Sequence, residues 1–192
     1  MPVKILFLAG STREGSFNRR LARAAAAEAR AQGGDVTHIE LTDHELPIYN
    51  ADLEASKGLP ETAVKLKDLF KSHRAIFIAS PEYNGGVTPL LKNTLDWVSR
   101  KGTDEAGLQA FRGNVFAISS ASPGMFAGMR SLLMLRQILM VGTGALVIPE
   151  QVAIAHARDA FAEDGSLTGE RAAQMLKAQI ARLIEVAGKL YP

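Results

Sequence analysis

Hydroxyl, amide and guanidinium groups are concentrated between Gly10 and Asn18. Ser11, Ser16 and Asn18 supply neutral hydrogen-bond donors, and Arg13 supplies a planar, permanently charged fork that suits phosphate. An apolar run precedes the segment and an Ala-rich run follows it, which predicts a strand-to-helix turn. Because the first N–H groups of a helix are unpaired and carry partial positive charge, the turn is predicted to bind an anion.

Two further cations, Arg19 and Arg20, fall in the first turn of this predicted helix. Cations are unfavourable at that end of a helix, and a bound anion would offset them. The alternative interpretation is an ordinary polar turn in which a Ser or Asn side chain caps the helix.

Two familiar phosphate loops are excluded by this sequence. Gly10 and Gly15 have the spacing of a nucleotide-triphosphatase loop, but Ser16 and Phe17 follow where Lys and Ser or Thr are required. The dinucleotide fingerprint needs a second glycine two positions after the first, and Thr12 stands there. The remaining prediction is a loop that holds one terminal phosphate.

A second informative loop, Ser80–Gly86, follows the apolar run at 75–79. Pro81 fixes a turn, and Gly85 with its neighbour lets the backbone approach a flat ligand. N–H groups from Asn84 onward could donate to ring atoms, and Tyr83 could pack on the ring. A tight turn selected for its geometry alone is the alternative.

Helices and strands alternate along the chain, as in a parallel sheet covered on both faces. Strands are predicted at 3–9, 35–41, 75–79, 114–118 and 145–148. Helices are predicted at 18–32, from 60, at 88–100, at 128–141 and at 168–190, with loops at 42–56 and 101–112. In such sheets ligands bind beyond the carboxyl ends of the strands, where the strand order reverses.

The fourth predicted helix is apolar nearly all round, with residues such as Met129, Leu133, Met140 and Val141. Only one side of a helix can face the sheet, so the other side is predicted to meet a second subunit. Trp97 in the third predicted helix is a candidate for the same contact, with core packing as the alternative.

Composition limits the function classes. The 192 residues suit one domain spanning 1–192, and the net charge of +2 is too small to indicate nucleic-acid binding. The absence of cysteine excludes disulfides, thiol catalysis and Cys-based metal sites. No apolar run is long enough to cross a membrane. We therefore expect a cytoplasmic protein with no metal site and no membrane partner.

The motifs together resemble the NADPH-dependent FMN reductase family, which includes quinone and chromate reductases. The resemblance rests on the first segment, Gly10–Asn18, and on Ser80–Gly85 with Leu91–Trp97. It implies a flavodoxin-like three-layer α/β sandwich with a five-stranded parallel sheet of order 2-1-3-4-5. It also implies FMN and NADPH as cofactors and a homodimer or homotetramer, in agreement with contacts through the third and fourth predicted helices.

The resemblance also implies the residues of the site. The FMN phosphate would be held by Ser11, Arg13, Ser16, Phe17 and Asn18. The isoalloxazine ring would be held by Pro81, Glu82, Tyr83, Asn84 and Gly85, with Ser120 and Ser122 on its other flank. Related sequences have more glycine where this chain has Met125, Phe126 and Ala127, so the shape of the substrate pocket is left open.

The function implied is transfer of electrons from NADPH through FMN to quinones or similar small acceptors, such as flavins, chromate and azo compounds, with ping-pong kinetics. No residue is expected to be a catalytic nucleophile or base, because the cofactor carries the chemistry. A flavodoxin-like electron carrier and a flavin-binding sensor are the alternatives. Carriers are often strongly acidic, so the charge of +2 argues against the first of these.

Overall fold

A computed structural model describes residues 1–102 and 107–190. All five strands are parallel and lie in the order β2-β1-β3-β4-β5. They are β1 (Lys4–Ala9), β2 (Asp35–His38), β3 (Ala75–Ala79), β4 (Val115–Ala121) and β5 (Leu146–Ile154). The predicted flavodoxin-like fold and strand order are confirmed.

The described helices cover both faces of this sheet. They are α1 (Phe17–Ala31), α2 (Ala51–Lys57), α3 (Glu61–Ser72), α4 (Pro89–Val98), α5 (Gln109–Arg112), α6 (Met129–Gln137) and α7 (Glu170–Leu190). A short 3-10 turn spans Leu41–Asp43, and a π-helical turn, Ile138–Gly142, extends α6.

The two hydrophobic cores follow from the alternation of side chains along the strands. In β1, Ile5 and Phe7 enter the core beneath α1 and α7, whereas Leu6 and Leu8 enter the core beneath α3, α4 and α6. All four side chains are fully buried. This explains why β1 and β3 read as continuous apolar runs, since both of their faces are covered.

Two strands are longer than the sequence predicts. β4 continues through Ser119, Ser120 and Ala121, which were expected to form a loop, and β5 continues to Ile154 instead of ending at 148. The ends of β4 and β5 were not predicted because the serines of β4 and the residues around Pro149 in β5 interrupt the apolar runs by which strands are recognised.

Two predicted loops contain helices. α2 begins inside the predicted loop 42–56 and ends one residue after it. Its N-cap residue is Asn50, whose side chain accepts hydrogen bonds from the N–H groups of Asp52 and Leu53. α5 lies within the predicted loop 101–112, of which residues 103–106 fall outside the described part. Trp97 is fully buried, and its indole N–H donates to the carbonyl of Pro47 at 2.7 Å, so core packing is the correct alternative for this residue.

The register between β4 and β5 shifts between Phe116 and Ile118, where the two strands pair irregularly. The buried side chain of Gln179 on α7 compensates for this shift. Its amide donates to the carbonyls of Ile118 and Glu150, both at 3.0 Å, and its oxygen accepts from the Ser119 hydroxyl at 2.7 Å. One side chain thus satisfies polar groups that the irregular pairing exposes within the core.

We expect Gln179→Leu to lower the free energy of unfolding by about 2–3 kcal/mol, because it leaves buried polar groups without partners. Urea denaturation measures the change. Gln174→Leu on the exposed side of the same helix is the matched control, since Gln174 bonds only to Glu170 at the surface. Equal effects of the two substitutions would contradict the role given to Gln179.

Candidate functional site

Three loops meet at the carboxyl edge of the sheet. Ala9 at the end of β1 pairs with Ala79 at the end of β3, and Ala79 pairs with Ser119 in β4. The loops that follow, 10–16, 80–88 and 122–128, are named here the first, second and third loop. Strand order reverses between β1 and β3, which is where open α/β sheets bind their ligands.

The first loop leaves the start of α1 open. Ser16 is the N-cap residue and is buried, yet its side chain makes no capping hydrogen bond. The first turn of α1 contains no acidic residue. The N–H groups of this turn therefore keep their partial positive charge, as an anion-binding helix start requires.

Arg13 is the cation of the first loop and is exposed. Its guanidinium lies 5.6 Å from the centroid of the Phe17 ring and 3.4 Å from the carbonyl oxygen of Gly15. Within residues 1–102 and 107–190 it has no acidic partner. The charge of Arg13 can therefore act on an anion at the start of α1. The contacts with Phe17 and Gly15 hold the guanidinium near this helix start. Ser11, also buried in this loop, accepts from the Arg13 N–H at 3.3 Å.

Arg19 and Arg20 both have partners within the protein, and the expectation that a bound anion must offset them is wrong for Arg19. Arg19 donates to the Glu40 carboxylate at 2.7 Å, and Arg20 donates to the carbonyls of Phe161 and Ala162. Burial alone would raise the pKa of Glu40, but hydrogen bonds from Arg23 and Arg19 outweigh it and hold that pKa below its ordinary value. Glu40 thus offsets the charge of Arg19, whereas Arg20 donates to neutral carbonyls, which do not cancel its charge.

Asn18 joins the first loop to the end of β4. Its side-chain amide donates to the carbonyl of Ala121 at 2.8 Å and accepts from the Ala121 N–H at 3.0 Å. The side chain is buried. The side chain of Asn18 is thus bonded inside the protein. The group that Asn18 can offer to an anion is its backbone N–H, which belongs to the first turn of α1.

The second loop contains a tight hairpin turn. Tyr83 and Gly86 exchange two backbone hydrogen bonds of 3.0 Å, and both residues between them, Asn84 and Gly85, have positive φ. This is the pattern of a type I′ turn, which Asn-Gly favours. The N–H of Gly86 is therefore bonded within the turn, whereas the N–H groups of Asn84 and Gly85 have no backbone partner among residues 1–102 and 107–190. The Tyr83 side chain is exposed.

Hydrogen bonds join the second loop to its neighbours. The Thr88 hydroxyl donates to the carbonyl of Gly10 at 2.7 Å and accepts from the Leu91 N–H, capping α4 as predicted. The Ser131 hydroxyl on α6 donates to the carbonyl of Pro81 at 2.8 Å and lies 2.8 Å from the Ser80 hydroxyl. The loop is thus fixed on both sides.

Glu82 does not face outward as a free carboxylate. Its Oε1 accepts from Arg130 Nε at 2.6 Å, and its Oε2 accepts from the Arg130 N–H at 3.1 Å. Its side chain is 8% exposed, against 57% for Arg130. Glu82 therefore anchors the second loop to the start of α6, an ion pair that the sequence analysis did not predict.

The third loop separates the two serines assigned to it. Ser122 is half-buried at the loop start, where its hydroxyl accepts from the Gly124 N–H. Ser120 lies in β4 and is fully buried, and its hydroxyl has no hydrogen-bond partner among the described residues. A methyl group at Gly128 would overlap that hydroxyl, so Ser120 faces the turn into α6.

The roles of three residues were not predicted from the sequence, namely Ser131, the pairing of Arg130 with Glu82 and the contact of Thr88 with the first loop. Ser131 sits within an apolar helical run and Arg130 is one of many surface cations, so neither carries a signal of its own. Their partners become apparent only when the fold brings α6 beside the second loop.

The site is an open helix start at the switch point of a flavodoxin-like sheet, beside a backbone turn whose Asn84 and Gly85 N–H groups have no partner in the described part of the chain. This geometry defines the class of proteins that bind a mononucleotide with a planar ring. No helix in the described part of the chain is long and apolar enough to cross a membrane.

Comparisons with known proteins agree with this class. The model of the family described as NADPH-dependent FMN reductase matches residues 3–159. An NAD(P)H-dependent FMN reductase of Pseudomonas aeruginosa is 33% identical over 182 residues, covering 94% of this chain and 93% of that protein. An NAD(P)H:quinone oxidoreductase of Solanum tuberosum is 33% identical over 192 residues, covering 98% and 94%.

A solved structure is also similar across nearly the whole chain. The flavoenzyme NAD(P)H:(acceptor) oxidoreductase FerB of Paracoccus denitrificans superposes with a TM-score of 0.82 at 26% identity, covering 97% of this chain and 98% of that one. The chain belongs to the NADPH-dependent FMN reductase family. The predicted family, the oxidoreductase class and the cofactors FMN and NADPH are thereby confirmed.

Asn18 is a residue of the site whose side chain also stabilises the fold, through its two hydrogen bonds to Ala121. We expect Asn18→Ala to lower the free energy of unfolding by about 2 kcal/mol, because the buried N–H and carbonyl of Ala121 lose their partners. Thr12→Ala in the same loop is the control, since Thr12 is exposed. Urea denaturation of both ligand-free variants tests this, and a loss in Asn18→Ala no larger than in Thr12→Ala would disprove it.

Proposed function

We propose that this protein holds FMN in its three-loop site and transfers electrons from NADPH to small acceptors, quinones first among them and flavins, chromate and azo compounds as further candidates. The observation that carries the proposal is the open start of α1 beside Arg13, next to the turn at Asn84 and Gly85. A dianionic phosphate fits the first feature, and the edge of a ring with carbonyl oxygens fits the second.

The phosphate would be held by the first loop. Ser16 offers an uncommitted hydroxyl, Phe17 and Asn18 offer backbone N–H groups, and Arg13 offers its guanidinium. Ser11 adds a hydroxyl at the end of β1. Because the backbone donors are fixed by the helix, they require no reorganisation when an anion binds.

The ring would lie against the second loop. The unpaired N–H groups of Asn84 and Gly85 would donate to its polar edge, and Tyr83 would pack beside it. Pro81 and Glu82 would act by holding this turn in place, through Ser131 and Arg130 respectively. Ser122 would flank the ring from the third loop, and Ser120 would support the wall behind that flank.

FMN supplies the redox chemistry when bound, because it takes up two electrons from a nicotinamide and releases them to an acceptor. The chain positions the cofactor and leaves one open side for donor and acceptor. Since both would use that side in turn, the kinetics would be ping-pong. No side chain is required as an acid or base for this exchange.

The whole chain, 1–192, would form one flavodoxin-like FMN-binding domain that self-associates. The outer face of α6 and its π-helical turn exposes Leu133, Met134, Met140 and Val141, and an apolar face of this kind suits contact with a second copy. α4 contributes less than the sequence predicts, because Trp97 and Thr94 are buried in the monomer. Sedimentation velocity would test this, and a monomer at micromolar concentration would contradict it.

The function is tested by the visible spectrum of the protein with added FMN, followed by NADPH without air and then by a quinone. We expect flavin absorbance to bleach with NADPH and to return with the quinone, and initial rates against both substrates to give parallel double-reciprocal lines. Flavin that binds without bleaching would contradict the enzymatic proposal and favour a carrier or sensor. Absence of flavin binding would contradict the site as a whole.

Arg13→Ala should weaken FMN binding by roughly 1–3 kcal/mol, because it removes a charge-assisted hydrogen-bond donor from the phosphate position. Fluorescence titration of the apoprotein with FMN measures the change. Arg30→Ala near the end of α1 removes the same charge from an exposed position and is the matched control. Unchanged FMN affinity in Arg13→Ala would rule out the assignment of this side chain to the phosphate.

A further inference from the structure

Three large side chains are exposed where the second and third loops approach each other. Tyr83, Met125 and Phe126 expose 56%, 75% and 59% of their surface. Exposed apolar groups beside polar backbone mark places where a ligand packs. None of these three side chains is needed to fill either hydrophobic core.

The ring of Phe126 packs against the side chain of Arg130. The guanidinium of Arg130 lies 5.0 Å from the centroid of its ring, within the range of a cation–π contact. Glu82 of the second loop holds this guanidinium in turn. Arg130 therefore contacts the second loop through Glu82 and the third loop through Phe126.

The backbone of the third loop also presents Phe126 in a defined way. The N–H of Met129 donates to the carbonyl of Phe126 at 2.9 Å, and the N–H of Ala127 donates to the carbonyl of Gly124 at 3.2 Å. Ala127 has a φ of 54°, which is unfavourable for a residue with a side chain. A strained turn that holds an aromatic ring at the surface is a common feature of binding sites.

From these observations we propose that Phe126, with Met125 beside it, forms an apolar wall that selects fused-ring quinones as electron acceptors over small hydrophilic ones. The proposal rests on the function proposed above and specifies its acceptor class. A bicyclic quinone offers a flat apolar face that can pack against Phe126 and Met125. A hydrophilic ion has no such face, so contact with Phe126 would not increase its affinity.

The overall reaction is NADPH + H⁺ + 1,4-naphthoquinone → NADP⁺ + 1,4-naphthohydroquinone. NADPH loses a hydride, which supplies two electrons and one proton, and solvent supplies the second proton. Both quinone carbonyls become hydroxyl groups. Phe126 takes no part in these transfers and acts only by binding the acceptor.

The test compares KM for 1,4-naphthoquinone and for ferricyanide in the FMN-loaded wild type, Phe126→Ala, Phe126→Tyr and Met175→Ala. We expect Phe126→Ala to raise the KM for naphthoquinone roughly three- to tenfold, the range for loss of one aromatic contact. The KM for ferricyanide should change less than about twofold, which is small beside that loss. Phe126→Tyr keeps the ring and should behave as wild type, and Met175 is a control exposed on α7.

A second readout is independent of turnover. Equilibrium dialysis of 1,4-naphthoquinone against the oxidised enzyme, without NADPH, should show the same loss of affinity in Phe126→Ala and not in Met175→Ala. Unchanged naphthoquinone binding would overturn the proposal. Equal changes in KM for both acceptors, or an altered oligomeric state on sedimentation, would also overturn it by assigning Phe126 to the fold or to a subunit contact.

The outcome separates this inference from the proposed function. A wild type that oxidises NADPH with both acceptors, combined with an unaffected Phe126→Ala, removes the inference and leaves the function standing. A wild type that binds FMN but oxidises no NADPH with either acceptor removes both.

Discussion

The two hydrogen bonds between the Asn18 amide and Ala121 are the constraint on which the site depends. They fix the start of α1, where we propose that the phosphate binds, against the end of β4, from which the third loop departs. Both groups are buried, so the bonds are not weakened by competing water. The relative position of the first and third loops is therefore set by the protein before any ligand arrives.

Other links extend this constraint to the second loop. Thr88 bonds to Gly10, Ser131 joins the second loop to α6, and the pair of Glu82 and Arg130 joins it to the first turn of α6. The groups that make these links are mostly different from those left open toward a ligand. Such a separation gives a preorganised site, in which the binding energy is not spent on ordering loops.

Much of the fold was predictable because its signals are local. β1 and β3 are short apolar runs, Thr88 and Pro89 mark a helix start, and the alternation of elements indicates a parallel sheet. α2 escaped prediction because a seven-residue helix capped by Asn50 has too little apolar periodicity to detect. The end of β4 was not predicted because its serines are polar, and they are buried only through contacts with residues far along the chain, such as Gln179.

For the candidate site, the sequence predicted which loops lie together at one edge of the sheet, but not how each side chain is used. The residue types of the first and second loops indicate phosphate and ring binding, and the structure brings these loops to one edge. The use of each side chain was not predictable, because it depends on contacts across the fold. Asn18 and Ala121 are 103 residues apart, and Arg19 and Glu40 are 21 apart, so no local pattern relates them.

The contact between Ser120 and Gly128 also limits how this part of the chain can evolve. The hydroxyl of Ser120 occupies the space that any side chain at position 128 would need, and Gly128 has a φ of 81° in addition. The Cβ of Ser120 would itself lie 2.7 Å from the first carbon of a side chain at 128, so losing the hydroxyl alone would not open this position, and the positive φ would still disfavour a side chain there. Among descendants of this sequence, position 128 is therefore expected to remain glycine for as long as position 120 carries any side chain.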